Sequence, residues 1–598
     1  DLMQGGDEAA LILTTDPEAA REFTVALAAV RSDINDLEVS YAHGDYRAAL
    51  TAASALLAES DNFNKEVYII TDRQRSQFVT DNLTPQELFD NSVRVFSLPL
   101  GSKAPANTAL METELRNAIF ENGKPVDLAA TVRNLGETPL SGAIVSVFLG
   151  GERVAQKSID VAAGGTQNVE FTVLPKSAGW IDGFVELEDD DLPEDNRRYF
   201  GFYIPETLNI LLGPTGGKDA SLLALALDPV AATSGSPAAQ ADNMEETNIL
   251  PGSFTVDMAD RGSLLSANLS RYNVVVLLGA QSLSDAFTQR LVSWVREGGS
   301  LLLFPDANGN VEEWSTQFLP QFGFPPAAGS TGALDNTSSF VTFGDIDFDH
   351  PLFVNMFDTQ QDGAAPEIES PRMSYSVRLR GSESARQVIS SRAGDGILVD
   401  TKLGDGRVLA FAVSPDLRWS DLPFKGIFVP LINRSMYYLA ARDDNAVHLT
   451  VGGTTEVTLP NTVQGEDLFE LRGAEGTLQR IVPKTLPSGL VFPVDAPTLP
   501  GNYILASGES TLRGIAVNTD PVESDLARAD DETRAAFFER LGIDNAADLG
   551  GNTNVRQAVA EVRYGVELWK YMLILALLCA VLEMLVARDV KREAIEMQ

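Results

Sequence analysis

Acyl transfer needs a nucleophile, a base within reach and donors for the developing oxyanion. The sequence supplies few of these. Its one cysteine, Cys579, lies in the most apolar stretch of the chain, and no G-x-S-x-G elbow occurs. The three histidines, His43, His350 and His448, are far apart and form no H-x-x-x-H pair, so a His- or Cys-based metal centre is excluded and any metal would need oxygen ligands. His350, in Asp347-Phe348-Asp349-His350-Pro351, has no evident partner serine and reads as a turn or helix-start residue. Gly213-Pro214-Thr215-Gly216-Gly217-Lys218-Asp219 follows a predicted strand as a phosphate loop would. It has three residues rather than four before its Gly-Lys pair, and Asp219 stands where a magnesium-binding hydroxyl belongs, so it reads as a plain turn. The acidic run at 188–196 lacks the alternation and glycine of an EF-hand loop and reads as a solvated loop.

Overall charge narrows the partners further. With 84 acidic against 45 basic residues the net charge is -39, which repels nucleic-acid backbones and anionic lipid surfaces. A cationic partner or a salty milieu fits better, and only 11 of the basic residues are lysine. At 598 residues and 44% apolar, the chain can build three to five cores and is too apolar to be disordered.

The elements that must position any site alternate in class. Residues 8–15 read as a strand, Asp16-Pro17 as a helix start, and a second helix follows Gly44-Asp45. Residues 67–72 (VYIITD) read as a buried parallel strand ending in the carboxylate Asp72, with another strand at 93–98, giving a Rossmann-like α/β layer. From 107 to 204 short β-rich runs between turns predict an antiparallel sandwich. Parallel-strand signals return at 208–212, 274–278 and 300–304 with an amphipathic helix at 284–297, predicting a second α/β domain. Within it, 228–250 reads as a flexible insertion and Gly404-Asp405-Gly406 as a hairpin turn between 397–401 and 408–413, with a closing helix from 423 to 441. Residues 446–518 predict a second small sandwich, followed by helices at 531–541 and 553–562.

Residues 568–587 give 20 positions broken only by Lys570 and Glu583, enough at ~1.5 Å per residue to cross ~30 Å of hydrocarbon. A C-terminal transmembrane helix is therefore expected, with Arg588, Lys591 and Arg592 marking the cytoplasmic side. That places the protein in the cytoplasmic (inner) membrane, its bulk periplasmic and its short tail cytoplasmic. The chain opens on Asp1 without an initiator Met or a signal sequence, which predicts a missing upstream portion.

Several stretches together resemble the BatA-type aerotolerance family of membrane proteins, which carry a von Willebrand factor A domain and are associated with MoxR-type AAA+ ATPases. Residues 67–74 (VYIITDRQ) resemble the late strand of the A domain, and 183–200 resemble the end of the family's sandwich. Residues 406–421 (GRVLAFAVSPDLRWSD) and the helix at 424–439 resemble the closing part of its glutamine-amidotransferase-like domain, and 568–588 its C-terminal span. The resemblance implies an A-like α/β domain at 1–105, a β-sandwich at 106–205, an amidotransferase-like α/β domain at 206–445 and a small β-sandwich at 446–520. A helical linker at 521–566, a transmembrane helix at 567–588 and a tail at 589–598 complete the expected multidomain α/β and all-β architecture.

The resemblance also implies an ion site. A domains hold Mg²⁺ through a D-x-S-x-S loop, a threonine and a late aspartate. Here the first loop is absent, Asp72 matches the late aspartate, and Gly44 stands where the threonine is expected, leaving Asp45 to compensate through water. Asp72 and Asp45 are thus the candidate metal ligands of a degenerate site, with Mg²⁺ implied only if an upstream segment restores it and no other cofactor expected. No catalytic residue is assigned, because the amidotransferase-like region 301–308 (LLLFPDAN) lacks the cysteine its chemistry needs.

These expectations converge on a non-enzymatic, membrane-anchored scaffold that partners sister A-domain proteins and a MoxR-type ATPase in envelope-protein assembly or stress tolerance. Two alternatives stand beside it. One is an extracytoplasmic hydrolase or amidase using Asp306 or Asp416 at the strand ends of the second α/β domain. The other is divalent-ion-dependent adhesion by the first domain.

Overall fold

The computed structural model describes residues 6–596, apart from 20–21, 81–83, 91, 102–105, 118, 189, 191, 215–217, 229–253, 280–282, 309–310, 335–338, 355, 358–367, 442–445, 460–467, 475, 487–488, 544–545, 550–558 and 560–568. The chain divides into two compact units, one of residues 1–107 with 520–598, the other of residues 108–519.

The first unit is built from both ends of the chain. Its sheet has three parallel strands in the order Lys65–Thr71, Val93–Pro99, Ala546–Asp548. Two helices cover it, Tyr46–Glu59 and Asp531–Arg540, and each starts where an aspartate side chain accepts a first-turn amide: Asp45 from Ala48 and Asp530 from Thr533. Tyr46, Leu50, Phe78 and Val95 from the N-terminal part share one core with Phe537, Phe538 and Leu541 from the C-terminal part. Residues 521–566, expected as a helical linker, thus supply a helix and a strand to this unit. The helix expected at 553–562 lies almost wholly outside the described residues. Residues 8–15 form no strand, only the isolated bridges Ala9↔Thr24 and Leu13↔Asp16.

The second unit opens with a seven-stranded sandwich. One sheet holds Thr108–Leu115, Val126–Asn134 and Thr166–Val173; the other orders Glu152–Val161, Leu140–Leu149, Gly179–Leu187, Arg197–Ile204. Alternation sets the faces: Val169, Phe171 and Val173 point inward from a strand whose intervening residues are exposed.

An eight-stranded mixed sheet follows. Its parallel part runs Phe254–Met258, Leu208–Gly213, Val274–Leu278, Ser300–Phe304, Gly406–Phe411, and Gly396–Leu403, Ala385–Ser391 and Phe343–Ile346 add antiparallel strands. Val274–Leu278 and Ser300–Phe304 are buried at every position, as continuous apolar runs in a parallel sheet must be. Gly404-Asp405 turns the hairpin, and Gly404 takes φ +63°. The insertion expected at 228–250 lies outside the described residues from 229 on.

A second sandwich completes the unit, with five strands in one sheet and three in the other. It is bolted to the first: Asn518 accepts from the Tyr199 amide at 2.7 Å and donates to the Tyr199 carbonyl at 2.9 Å, while Trp180 fills the space that side chains at positions 201 and 514 would need. Arg434 joins the first sandwich to the α/β sheet through Glu121, Nη1 to Oε1 at 2.9 Å, with both side chains mostly buried.

A further expectation is overturned. The C-terminal transmembrane helix at 567–588, and with it the placement in the cytoplasmic membrane with a periplasmic bulk, does not stand: among the described residues no helix is long and apolar enough to cross a membrane. A helix does form, Trp569–Glu596, but its unbroken apolar run is the twelve residues 571–582 between Lys570 and Glu583. Twelve residues rise about 18 Å, short of ~30 Å of hydrocarbon. The fold class is accordingly a mixed, strand-rich α/β one, 25% helix and 39% strand, without that span.

Candidate functional site

Strand ends of the two α/β layers are where the sequence places its candidate chemistry. In the first unit, Thr71 closes the strand Lys65–Thr71 and its Oγ1 accepts the Tyr46 hydroxyl at 2.5 Å and the Arg73 amide at 2.7 Å. Burial pushes the Tyr46 phenol up to about 12, with Asp72 and Glu523 adding to the rise against the Thr71 bond. Asp72 is exposed and its Oδ1 accepts the Gln74 amide at 3.1 Å; Asp45 is exposed and its Oδ1 caps the helix at the Ala48 amide, 2.9 Å. Both candidate ligands are therefore bonded to nearby backbone.

Gly44 is more than a missing hydroxyl. A Cβ there would lie 3.0 Å from Thr14 Oγ1 and 3.4 Å from Gln77 Oε1, so a threonine at this position would crowd its neighbours. Glu523 gathers the remaining polarity: its Oε1 is hydrogen-bonded to His43 Nδ1 and accepts Gln77 Nε2 at 3.1 Å. That bond holds the His43 imidazole above its ordinary value, with Asp520 and Asp45 contributing. Among the described residues no group of three or more His, Cys, Asp or Glu side chains could hold a metal ion. Asp45 and Asp72 each spend one oxygen on a backbone amide, and a hard cation beside them would draw further oxygens from water or other groups.

In the second unit the two carboxylates named for hydrolytic chemistry brace loops. Asp306 Oδ1 accepts the Asn308 amide at 2.6 Å. Asp416 accepts from the Arg418 amide at 2.8 Å and from its guanidinium at 3.0 Å, and Arg418 Nη2 and Trp419 Nε1 both donate to the Ala307 carbonyl. The Asp306 loop and the Asp416 loop are thereby tied together. The turn 213–219 lies largely outside the described residues, as do Asp189 and Asp191 of the acidic run. Asp190 of that run accepts from the Leu192 and Thr108 amides and from Asn196 Nδ2.

Sequence reasoning missed one cluster. His350, 1% exposed, has Nε2 at 3.5 Å from Asp400 Oδ2, and the same oxygen accepts the Tyr438 hydroxyl at 2.7 Å. Burial, then Asp400, pushes the Tyr438 phenol far up. His350 Nδ1 accepts the Leu352 amide at 3.3 Å, so the proton sits on Nε2 facing Asp400. Both ring nitrogens are engaged, which leaves neither to activate a nucleophile. Residues 50 and 38 positions apart carry no local signal of this contact.

No family model and no curated protein matches the chain. Among solved structures it is similar to the cytoplasmic protein STM3548 from Salmonella typhimurium, at 14% identity and TM-score 0.28, covering 40% of this chain and 100% of that one. It is similar also to the cytoplasmic protein STM1381 from Salmonella typhimurium LT2, at 13% identity and TM-score 0.26, covering 44% and 96%. The CARDB domain of PF1109 from Pyrococcus furiosus matches at 13% identity and TM-score 0.16, covering 17% and 97%. At these scores none of the likenesses bears on function.

Proposed function

We propose that the chain is a non-enzymatic interaction scaffold of an A-domain system served by a MoxR-type ATPase, acting in envelope-protein assembly or stress tolerance. The observation that supports this reading most is the use of Asp306 and Asp416: both carboxylates brace loops at the strand ends where a hydrolase would keep its reactive groups. The linked sandwiches and α/β sheet of the second unit add a stiff body of the kind that holds partners in fixed geometry. The partner assignment comes from the resemblance in residues 67–74, 183–200 and 406–439.

Affinity purification of the tagged full chain from cell extract tests it. Recovery of an A-domain protein or a MoxR-type ATPase is expected, and recovery of neither overturns the reading. Amide or ester turnover by the purified chain, abolished by Asp306→Asn or Asp416→Asn, would overturn its non-enzymatic part.

A further inference from the structure

In α/β layers, ligands ordinarily bind beyond the carboxyl ends of the strands. In the first unit the chain itself takes that position. Strands Lys65–Thr71 and Val93–Pro99 end side by side at Thr71↔Pro99, and the carbonyls just past them converge on one guanidinium. Arg528 donates through Nε to the Asp72 carbonyl at 2.8 Å, through Nη2 to that of Leu100 at 2.6 Å and through Nη1 to that of Gly101 at 3.0 Å. Its segment lies along the loop after the first strand. Gln74 and Arg528 form an antiparallel bridge, flanked by the Arg75 amide donating to the Ala527 carbonyl at 2.7 Å and the Ala529 amide donating to the Arg73 carbonyl at 2.9 Å. Arg73 in that loop takes φ +66°, the one non-glycine residue among those described with a positive φ. Such a backbone persists only where its surroundings hold it, and outliers of this kind cluster at ligand clamps.

Polar contacts rather than apolar burial seat this segment. Between 521 and 529 only Ser524 and Ala529 are buried and Val522 is 48% exposed, whereas Phe537, Phe538 and Leu541 fix the following helix in the core. Hydrogen bonds that water can replace are of modest net worth, so 521–529 can lift while 531–541 stays packed. Lifting uncovers three carbonyl oxygens beside the exposed Asp72 carboxylate, a rim of acceptors that repels anions and matches the fork of a guanidinium. The net charge of -39 draws cationic partners toward it. We infer that residues 521–529 are a built-in competitor for an arginine-binding site of the first unit. The outside ligand is an arginine-bearing segment of a partner polypeptide, and Arg528 fills the rim until that arginine displaces it. The inference rests on the scaffold reading for the existence of a partner, yet the two fail separately, because the test below uses neither an A-domain protein nor an ATPase.

The probe is a labelled synthetic peptide of residues 521–530 (PVESDLARAD), alongside the same peptide carrying Arg528→Lys. The full-length Arg528→Ala chain, its rim unfilled, should bind the first peptide at least about tenfold tighter than the wild-type chain does. The Arg528→Lys peptide should bind that variant about tenfold more weakly, since an ammonium cannot serve three carbonyls in the same fork. On the wild-type chain, the amides of Arg75 and Ala529, each bonded across the contact, should exchange at least about tenfold faster than those of Phe537 and Phe538. That measurement decides the matter even where Arg528→Ala prevents folding. Three results would each overturn the inference: no tighter binding by a folded Arg528→Ala chain, equal binding of the Arg528→Lys peptide, or exchange of the two amide pairs in step, which would make the segment an inseparable part of the unit.

Discussion

Asp400 keeps 16% of its side chain exposed and takes the Tyr438 hydroxyl on the same oxygen that faces His350. Tyr438→Phe removes that donor and leaves a mostly buried carboxylate short of a partner. Such bonds to charged groups contribute roughly 1.5–3 kcal/mol, so chemical denaturation should show a stability loss of that size. A change below ~0.5 kcal/mol would mean water replaces the hydroxyl there. Two histidines should give the two units opposite responses to pH. His43 is held above the ordinary value of ~6.5, so the stability it contributes is full below that value and fades as pH rises through its folded value. With 38% of its side chain exposed the effect is modest. His448 is held below the ordinary value, by partial desolvation and then by Arg198, so its unit loses stability as pH falls from ~6.5 toward the folded value, and because the side chain is exposed this effect too is modest. Hydrogen exchange followed between pH 5 and 8 should show the first trend abolished by His43→Asn and the second by His448→Asn.

The hairpin joining Gly396–Leu403 to Gly406–Phe411 depends on close backbone approach. A Cβ at Gly406 would lie 2.1 Å from the Gly299 carbonyl oxygen and 2.2 Å from that of Val295, backbone atoms that cannot swing aside. Gly406→Ala should therefore destabilise the second unit by about 1–3 kcal/mol or more, whereas Gly426→Ala, with nothing within 4 Å, should stay within ~0.5 kcal/mol in the same thermal melt. Elements of this kind were legible before folding, because Gly404-Asp405-Gly406 between apolar runs and the all-apolar Val274–Leu278 announce themselves locally. Ala546–Asp548 was not: AAD has no strand signature and becomes one only by pairing with Val93–Pro99, some 450 residues away. The apolar run near the C-terminus misled for the opposite reason. Counting 568–587 as one stretch tolerated Lys570 and Glu583, which cut its unbroken apolar run to 571–582. At the candidate ion site, the sequence correctly marked Asp45 and Asp72 as strand-end and helix-start acids, but a composition of carboxylates does not reveal that backbone amides already bind them.

At the scale of the whole molecule, the first unit exists only while both chain ends are present. Gln74 Nε2 donates to the carbonyls of Glu523 and Asp525, Arg528 donates to those of Asp72, Leu100 and Gly101, and Arg73 pairs with Asp548. A chain ending at Thr519 should lose the first unit's cooperative transition in calorimetry while the second unit melts as before; two intact transitions would contradict this. The same division also imposes a timetable on synthesis. Once residue 107 has left the ribosome, 412 residues must be made before the complementing segment begins to emerge. At ~5–20 residues per second that wait is roughly 20–80 s, during which Tyr46, Leu50 and Phe78 have no Phe537 or Phe538 to meet. A nascent chain so arranged completes its first unit only after the whole of its second has been made.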